Sequence, residues 1–119
     1  MFLNNVVHKL YVVKDYVDFR KGHQGLLGES RKLNINIYEG CVVIFISRCR
    51  TKVKVLFADA TGTIILYKQF SVGRIKTKFN FLLDTDTLEI SQAELQLLLE
   101  GSAYQIDRKV KKFLPQGMD

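Results

Sequence analysis

The sequence predicts an α+β fold, a mostly antiparallel sheet built around a three-stranded meander and packed with two helices. Three observations carry this. Cys41 to Ile46 is apolar at every position, as a strand covered on both faces would be. Val53 to Asp59 alternates, with Val53, Val55 and Phe57 on one side, and leads through Asp59-Ala60-Thr61-Gly62 into the strand-like Thr63 to Phe70. Ser91 followed by Glu94 is a capping box that opens a helix with Leu95, Leu98 and Leu99 on its apolar face.

The remaining elements follow in order. His8 to Val13, beginning near Val6, reads as a strand because Tyr11, Val12 and Val13 are aromatic or β-branched and no breaker interrupts them. Asp18 reads as the N-cap of a helix over Phe19 to Leu33, in which Phe19, His23, Leu26, Leu27 and Ser30 recur at helical spacing toward the core. Gly22, Gly25 and Gly28 each cost about 1 kcal/mol of helix propensity against Ala, so either a strand packs close to that face or the helix is short. His23 on this stripe reads as a packed or hydrogen-bonded core residue rather than a catalytic one. Asn34, Asn36, Glu39 and Gly40 form a polar connection, and Phe79 to Leu83 is a further candidate strand without an obvious partner. Gly101 ends the last helix in the C′ position. With 119 residues the chain fits one domain, residues 1–107, followed by a basic tail, residues 108–119, of the kind that is often poorly ordered.

Composition narrows the function classes. Hydrophobic content of 47% with 25% charged residues is that of an ordinary globular protein. The broken apolar run at Met1 to Leu10 does not make a signal peptide, and no stretch approaches the roughly 20 apolar residues of a membrane span, so a cytoplasmic protein without membrane contact is expected. Cys41 and Cys49 on one straight strand would lie about 26 Å apart, too far for a disulfide. With His8 and His23 they lack the ligand spacing of a zinc site, and no metal or cofactor is expected.

Charge is strongly segregated. Residues 40–83 hold eight Lys and Arg against the single carboxylate Asp59, a net +7, whereas residues 84–107 hold six carboxylates and no Lys or Arg. Arg48, Arg50, Lys52 and Lys54 alternate across the first hairpin of the meander, and Arg74, Lys76 and Lys78 repeat the spacing, so extended backbone would put each set on one side. With Lys68 they are the candidate nucleic-acid contacts, because rows of cations neutralise phosphates and release counterions. Such residues also solubilise loops and blunt sheet edges, so charge alone leaves both readings open. The acids are explained as a helix cap (Asp18), a turn (Asp59), and a loop and exposed helix face (residues 84–107), which argues against a two-metal catalytic site. No nucleophile-base pattern is legible, and Arg20-Lys21-Gly22-His23-Gln24-Gly25 lacks the spacing and ending of a phosphate-binding loop.

Several ordered motifs add a family. Asp18-Phe19-Arg20-Lys21-Gly22 with Gly25-Leu26, the Gly40-to-Ile46 strand, Lys54-Val55-Leu56 with Asp59 and Gly62, Tyr67-Lys68 with Gly73-Arg74, and Leu98-Leu99-Glu100-Gly101 occur in sequence order. Together they resemble the short accessory protein, often called TnpB or second-reading-frame-like, encoded beside the transposase in insertion-sequence-66 mobile elements of bacteria. Ala58 stands where that family usually shows Trp, and Ala60-Thr61 where Gly-Asp is common. The resemblance implies a non-enzymatic part in transposition beside a larger enzyme that performs strand transfer. Expected partners are DNA and the transposase of the same element, and self-association is compatible with the opposed charges. An alternative is an adaptor that binds the transposase without touching DNA, using the acidic residues 84–107 and the Leu98-Leu99 helix. A metal-dependent enzyme using Asp18 and Asp59 is a third class.

Overall fold

A strand that is apolar on both sides of its backbone needs a layer above and a layer below. The computed structural model, which describes residues 9–82, 84–102 and 105–107, supplies both. In chain order the elements are β1 (Lys9–Val13), α1 (His23–Lys32), a 3-10 turn (Ile37–Glu39), β2 (Cys41–Ile46), β3 (Lys52–Ala58), β4 (Thr63–Gln69), β5 (Lys78–Asn80), β6 (Thr87–Ile90), α2 (Gln92–Glu100) and β7 (Gln105–Asp107).

Five strands form one sheet in the order β4-β3-β2-β1-β6. The antiparallel meander is β2-β3-β4, with Ile44 opposite Val55 and Val55 opposite Leu66. β1 lies parallel to β2, with Leu10 opposite Val42. Parallel neighbours need a crossover, and α1 provides it. Three of the four pairings are antiparallel, so the sheet is mostly antiparallel and the fold is α+β.

One face of the sheet packs Val12, Ile44, Val55 and Phe57 against Leu95 and Leu98 of α2, together with Ile75 and Ile106. The other packs Val43, Phe45 and Leu56 against Leu26 and Leu27 of α1 and against Ile37. The two helices therefore cover opposite faces, which explains why β2 is apolar throughout.

Four expectations need correction. α1 begins at His23, not Phe19, and its N-cap is Gly22 without a side-chain cap. Asp18 does not cap it: its carboxylate accepts the Arg20 amide at 2.9 Å and the Arg20 guanidinium, and the Lys21 amide donates to the Asp18 carbonyl at 3.0 Å, so a turn precedes the helix. His23 is exposed rather than in the core, with Nδ1 2.6 Å from Thr63 Oγ1. The acidic stretch is not only loop and helix, because it contains β6, which buries Leu88 and Ile90 while Glu89 faces out, and Asp107 lies on β7.

The candidate strand at Phe79 to Leu83 is the shorter β5, and its partner is β7, lying parallel with Phe79 opposite Ile106. The strand start at Val6 to His8, Leu83 and the basic residues of the tail, Arg108 to Lys112, lie outside the described residues. The second helix is as expected: Ser91 Oγ accepts the Glu94 amide at 3.1 Å, Glu94 Oε1 accepts the Ser91 amide at 2.8 Å, and Gly101 closes the helix at φ 80°. Gly is favoured there, since φ 80° strains a residue with a Cβ and that Cβ would lie 3.1 Å from the Phe70 ring. Among the described residues no helix is long and apolar enough to cross a membrane.

Candidate nucleic-acid interface

The segment after β4 alternates outward cations with inward residues. Arg74, Lys76 and Lys78 are exposed, while Ile75 and Thr77 between them are 1% and 0% exposed. Extended backbone puts alternate side chains on opposite sides, so the three cations project together from a buried anchor. Among the described residues none of the three forms an ion pair.

Arg50 builds that anchor. It sits in the β2–β3 turn at φ 65°, a left-handed conformation uncommon for a residue with a Cβ. Its carbonyl accepts the Ile75 amide at 2.7 Å, and its guanidinium donates back to the Ile75 carbonyl at 3.0 Å and to the Thr77 carbonyl. The planar fork of Arg can reach two carbonyls at once, which a single ammonium does less well. The guanidinium also lies 5.8 Å from the Phe79 ring centroid. From the other side, Thr77 Oγ1 donates to the Ser102 carbonyl at 3.2 Å. Both neighbours of the central cation are thus held from beneath.

The expected single row across the first hairpin is not continuous. Arg48 is exposed, with its guanidinium 5.0 Å from the Tyr16 ring centroid, and Lys52 is half-buried. Arg50 turns inward, and Lys54 is only 9% exposed. The Lys54 ammonium donates to the Phe19 and Lys21 carbonyls, each at 2.8 Å, and lies 5.3 and 5.2 Å from the ring centroids of Phe19 and Tyr67. Period-two alternation does not survive the left-handed turn at Arg50, and beyond it the face of β3 that carries Lys54 is roofed by the 18–22 turn. Lys68 donates to the Leu99 carbonyl at the end of α2, where the helix dipole favours a cation, and lies 4.6 Å from the Phe70 ring centroid.

The motif positions gather in two places. Asp18, Arg20, Lys21 and Gly22 form the turn held by Lys54, with Tyr67 of β4 against Phe19 at 6.4 Å between centroids. Lys68, Gly73, Arg74, Glu100 and Gly101 line one groove of about 390 Å³ together with Lys76. Gly73 takes φ 75° there, a conformation that favours Gly. Asp59 and Gly62 form neither group: Asp59 Oδ1 accepts the amides of Thr61 and Gly62 and the Thr61 hydroxyl at 2.9 to 3.0 Å, which completes the β3–β4 turn. Those donors, the Thr61 amide foremost, hold the Asp59 carboxyl below its usual pKa, and the Arg20 hydrogen bonds do the same for Asp18 more strongly. Among the described residues no three of His, Cys, Asp and Glu converge as metal ligands would.

Residues 8–109 match the family model described as IS66 Orf2 like protein. The chain belongs to the IS66 Orf2-like family. That family is transposition-associated, so the motifs that converge on the two clusters belong to an insertion-sequence protein. No curated protein and no solved structure matches the chain.

Within this IS66 Orf2-like protein, sequence reasoning missed the roles of Arg50, Thr77 and Ser102. The alternation Arg74-Ile75-Lys76-Thr77-Lys78 is the one signal that shows the row, and nothing in it indicates what holds the row from beneath. The turn that carries Arg50 also holds a free thiol. Cys49 is exposed, with Sγ 2.9 Å from Thr51 Oγ1 and 3.6 Å from Ser47 Oγ. Hydroxyls donating to sulfur, Thr51 first, stabilise the thiolate and bring its pKa down to about 7, whereas burial pushes the Cys41 thiol up. Because the shift is downward, thiolate forms at lower pH. Alkylation by iodoacetamide, followed by mass spectrometry, is expected to modify Cys49 before Cys41 and to reach half its limiting rate near pH 7. Thr51→Val should move that midpoint up toward about 8.5, the value of an unperturbed thiol.

Proposed function

We propose that this IS66 Orf2-like chain is a non-catalytic accessory protein of bacterial DNA transposition that holds nucleic-acid backbone phosphates along Arg74, Lys76 and Lys78. The observation that carries this reading is the exposed row anchored by buried Ile75 and Thr77 and clamped by Arg50. Cations that merely solubilise a loop do not need their backbone fixed at each intervening residue. A preset row loses less conformational freedom on meeting a phosphate strand. Lys68 lines the same groove as Arg74 and Lys76, with its ammonium on the Leu99 carbonyl. Arg50 and Lys54 act in this reading as positioning residues, since their donors are bound to protein carbonyls.

The adaptor alternative has lost its apolar anchor. Leu98 is 0% exposed in the core and Leu99 packs against the same cluster, so the leucine face of α2 is occupied.

Binding to element-end DNA, measured by filter retention across a salt series, tests the proposal. Each phosphate contact contributes about 0.9 to the slope of log K against log salt. The triple variant Arg74→Ala, Lys76→Ala, Lys78→Ala is expected to lower that slope by about 3 while leaving the fold intact. An unchanged slope, or no detectable binding by the native chain at low salt, would overturn the reading.

A further inference from the structure

The outer edge of the sheet at β4 differs from the opposite edge. β6 is a four-residue strand with Glu89 facing out, the short and charged form that discourages pairing. β4 has seven residues, Thr63-Ile64-Ile65-Leu66-Tyr67-Lys68-Gln69, with no proline and one charge. Its ladder with β3 is bounded by two hydrogen bonds, Asp59 amide to Gly62 carbonyl and Phe70 amide to Thr51 carbonyl. Antiparallel ladders alternate, so the even-numbered residues of β4 bond to β3. The amides and carbonyls of Thr63, Ile65, Tyr67 and Gln69 point away from the sheet, and among the described residues no strand pairs there. Two large apolar side chains stand on this edge, Leu66 at 39% and Tyr67 at 52% exposure.

From this edge we infer that two copies of the chain pair antiparallel through β4, on a two-fold axis at Leu66, to make one continuous sheet. The β4 sequence is complementary to itself in that register. Thr63 falls opposite Gln69 and Ile65 opposite Tyr67, and these outward-pointing residues exchange the hydrogen bonds. Tyr67 on Ile65 is an aromatic-on-β-branched pair of the kind that stabilises a ladder. Lys68 falls opposite Ile64, so the one charge of the strand never meets its own copy. Leu66 meets Leu66 at the axis in a non-hydrogen-bonded pair, which covers its exposed surface. An isologous contact of this sort closes on itself and does not propagate. The axis of such a pair is perpendicular to the sheet, so both Arg74–Lys78 rows lie on the α2 side of the joined sheet. Pairing through β4 stands apart from the DNA reading, because it uses none of the cations of the row.

Disulfide trapping and sedimentation test it in a Cys49→Ser background, which removes the exposed thiol. A non-hydrogen-bonded antiparallel pair brings Cα atoms to about 4.5 Å, within the roughly 4.4–6.8 Å of a disulfide. Leu66→Cys is therefore expected to give a covalent dimer under mild oxidation, whereas Val72→Cys, at 89% exposure off the strand, measures random collision and should stay monomeric. Sedimentation should give twice the chain mass for the native protein and a single chain mass for Leu66→Lys, which opposes two ammonium groups at the axis. Circular dichroism confirms that the Lys variant is folded. A native chain that stays monomeric at the highest concentration reached, or Val72→Cys crosslinking as fast as Leu66→Cys, would overturn the inference.

Discussion

Replacing Arg50 by Ala is expected to destabilise the protein by about 3–5 kcal/mol and to release residues 74–78 from the β2–β3 turn. Each hydrogen bond from a charged donor contributes about 1.5–3 kcal/mol, and the guanidinium makes two, to the Ile75 and Thr77 carbonyls. Both acceptors lie on residues buried to at least 99%, so little water can take the place of the lost donors. Arg50→Gly should cost about 1 kcal/mol less than Arg50→Ala, because a Cβ in the left-handed region carries about 1–2 kcal/mol of strain that Gly avoids. Arg50→Lys should recover only part of the loss, since one ammonium replaces a two-pronged fork. Urea unfolding gives the stability, and amide exchange at residues 74–78 reports the release. Exchange there no faster than in the native chain would remove Arg50 from its clamping role. The same variant carries a functional expectation: the salt slope of DNA binding should fall even though Arg74, Lys76 and Lys78 are intact.

Lys54→Met should cost about 2–4 kcal/mol and open the turn at residues 18–22. Met keeps most of the length and volume of the lysine stem but donates nothing, so the Phe19 and Lys21 carbonyls both lose their partner. An orphaned buried acceptor costs about 1–3 kcal/mol, and the lower end applies where a carbonyl can turn to water. The cation–π contacts with Phe19 and Tyr67 are lost as well, each about 0.5–2 kcal/mol depending on desolvation. Trypsin gives a direct reading, because Arg20 and Lys21 lie in the turn that Lys54 holds. Cleavage after either should accelerate in Lys54→Met, and stability within about 0.5 kcal/mol of native would show that the two carbonyls are satisfied without the ammonium.

Much of the fold was legible because its signals are local. Cys41 to Ile46, the alternation of Val53, Val55 and Phe57, the Asp59 turn and the Ser91–Glu94 box each act within a few residues, and each stands where expected. The sequence starts α1 too early because Asp18 has the chemistry of a cap, whereas Arg20, two residues on, takes its carboxylate for a different turn. β6 and β7 were not legible. At four and three residues they are too short for periodicity to stand out, and each exists through a distant partner, β1 for one and β5 for the other.

The candidate site divides in the same way. Composition established that positive charge is concentrated in residues 40–83, and the motif order established the family. Which cations face outward was decided by tertiary structure alone. Arg74, Lys76 and Lys78 stay exposed because Ile75 and Thr77 have places in the core, whereas Arg50 and Lys54 turn inward because carbonyls more than 20 residues away in the chain need donors. Sequence spacing sets which side of a strand a side chain leaves from. Whether that side meets water or an unpaired carbonyl depends on what the rest of the chain lays against it.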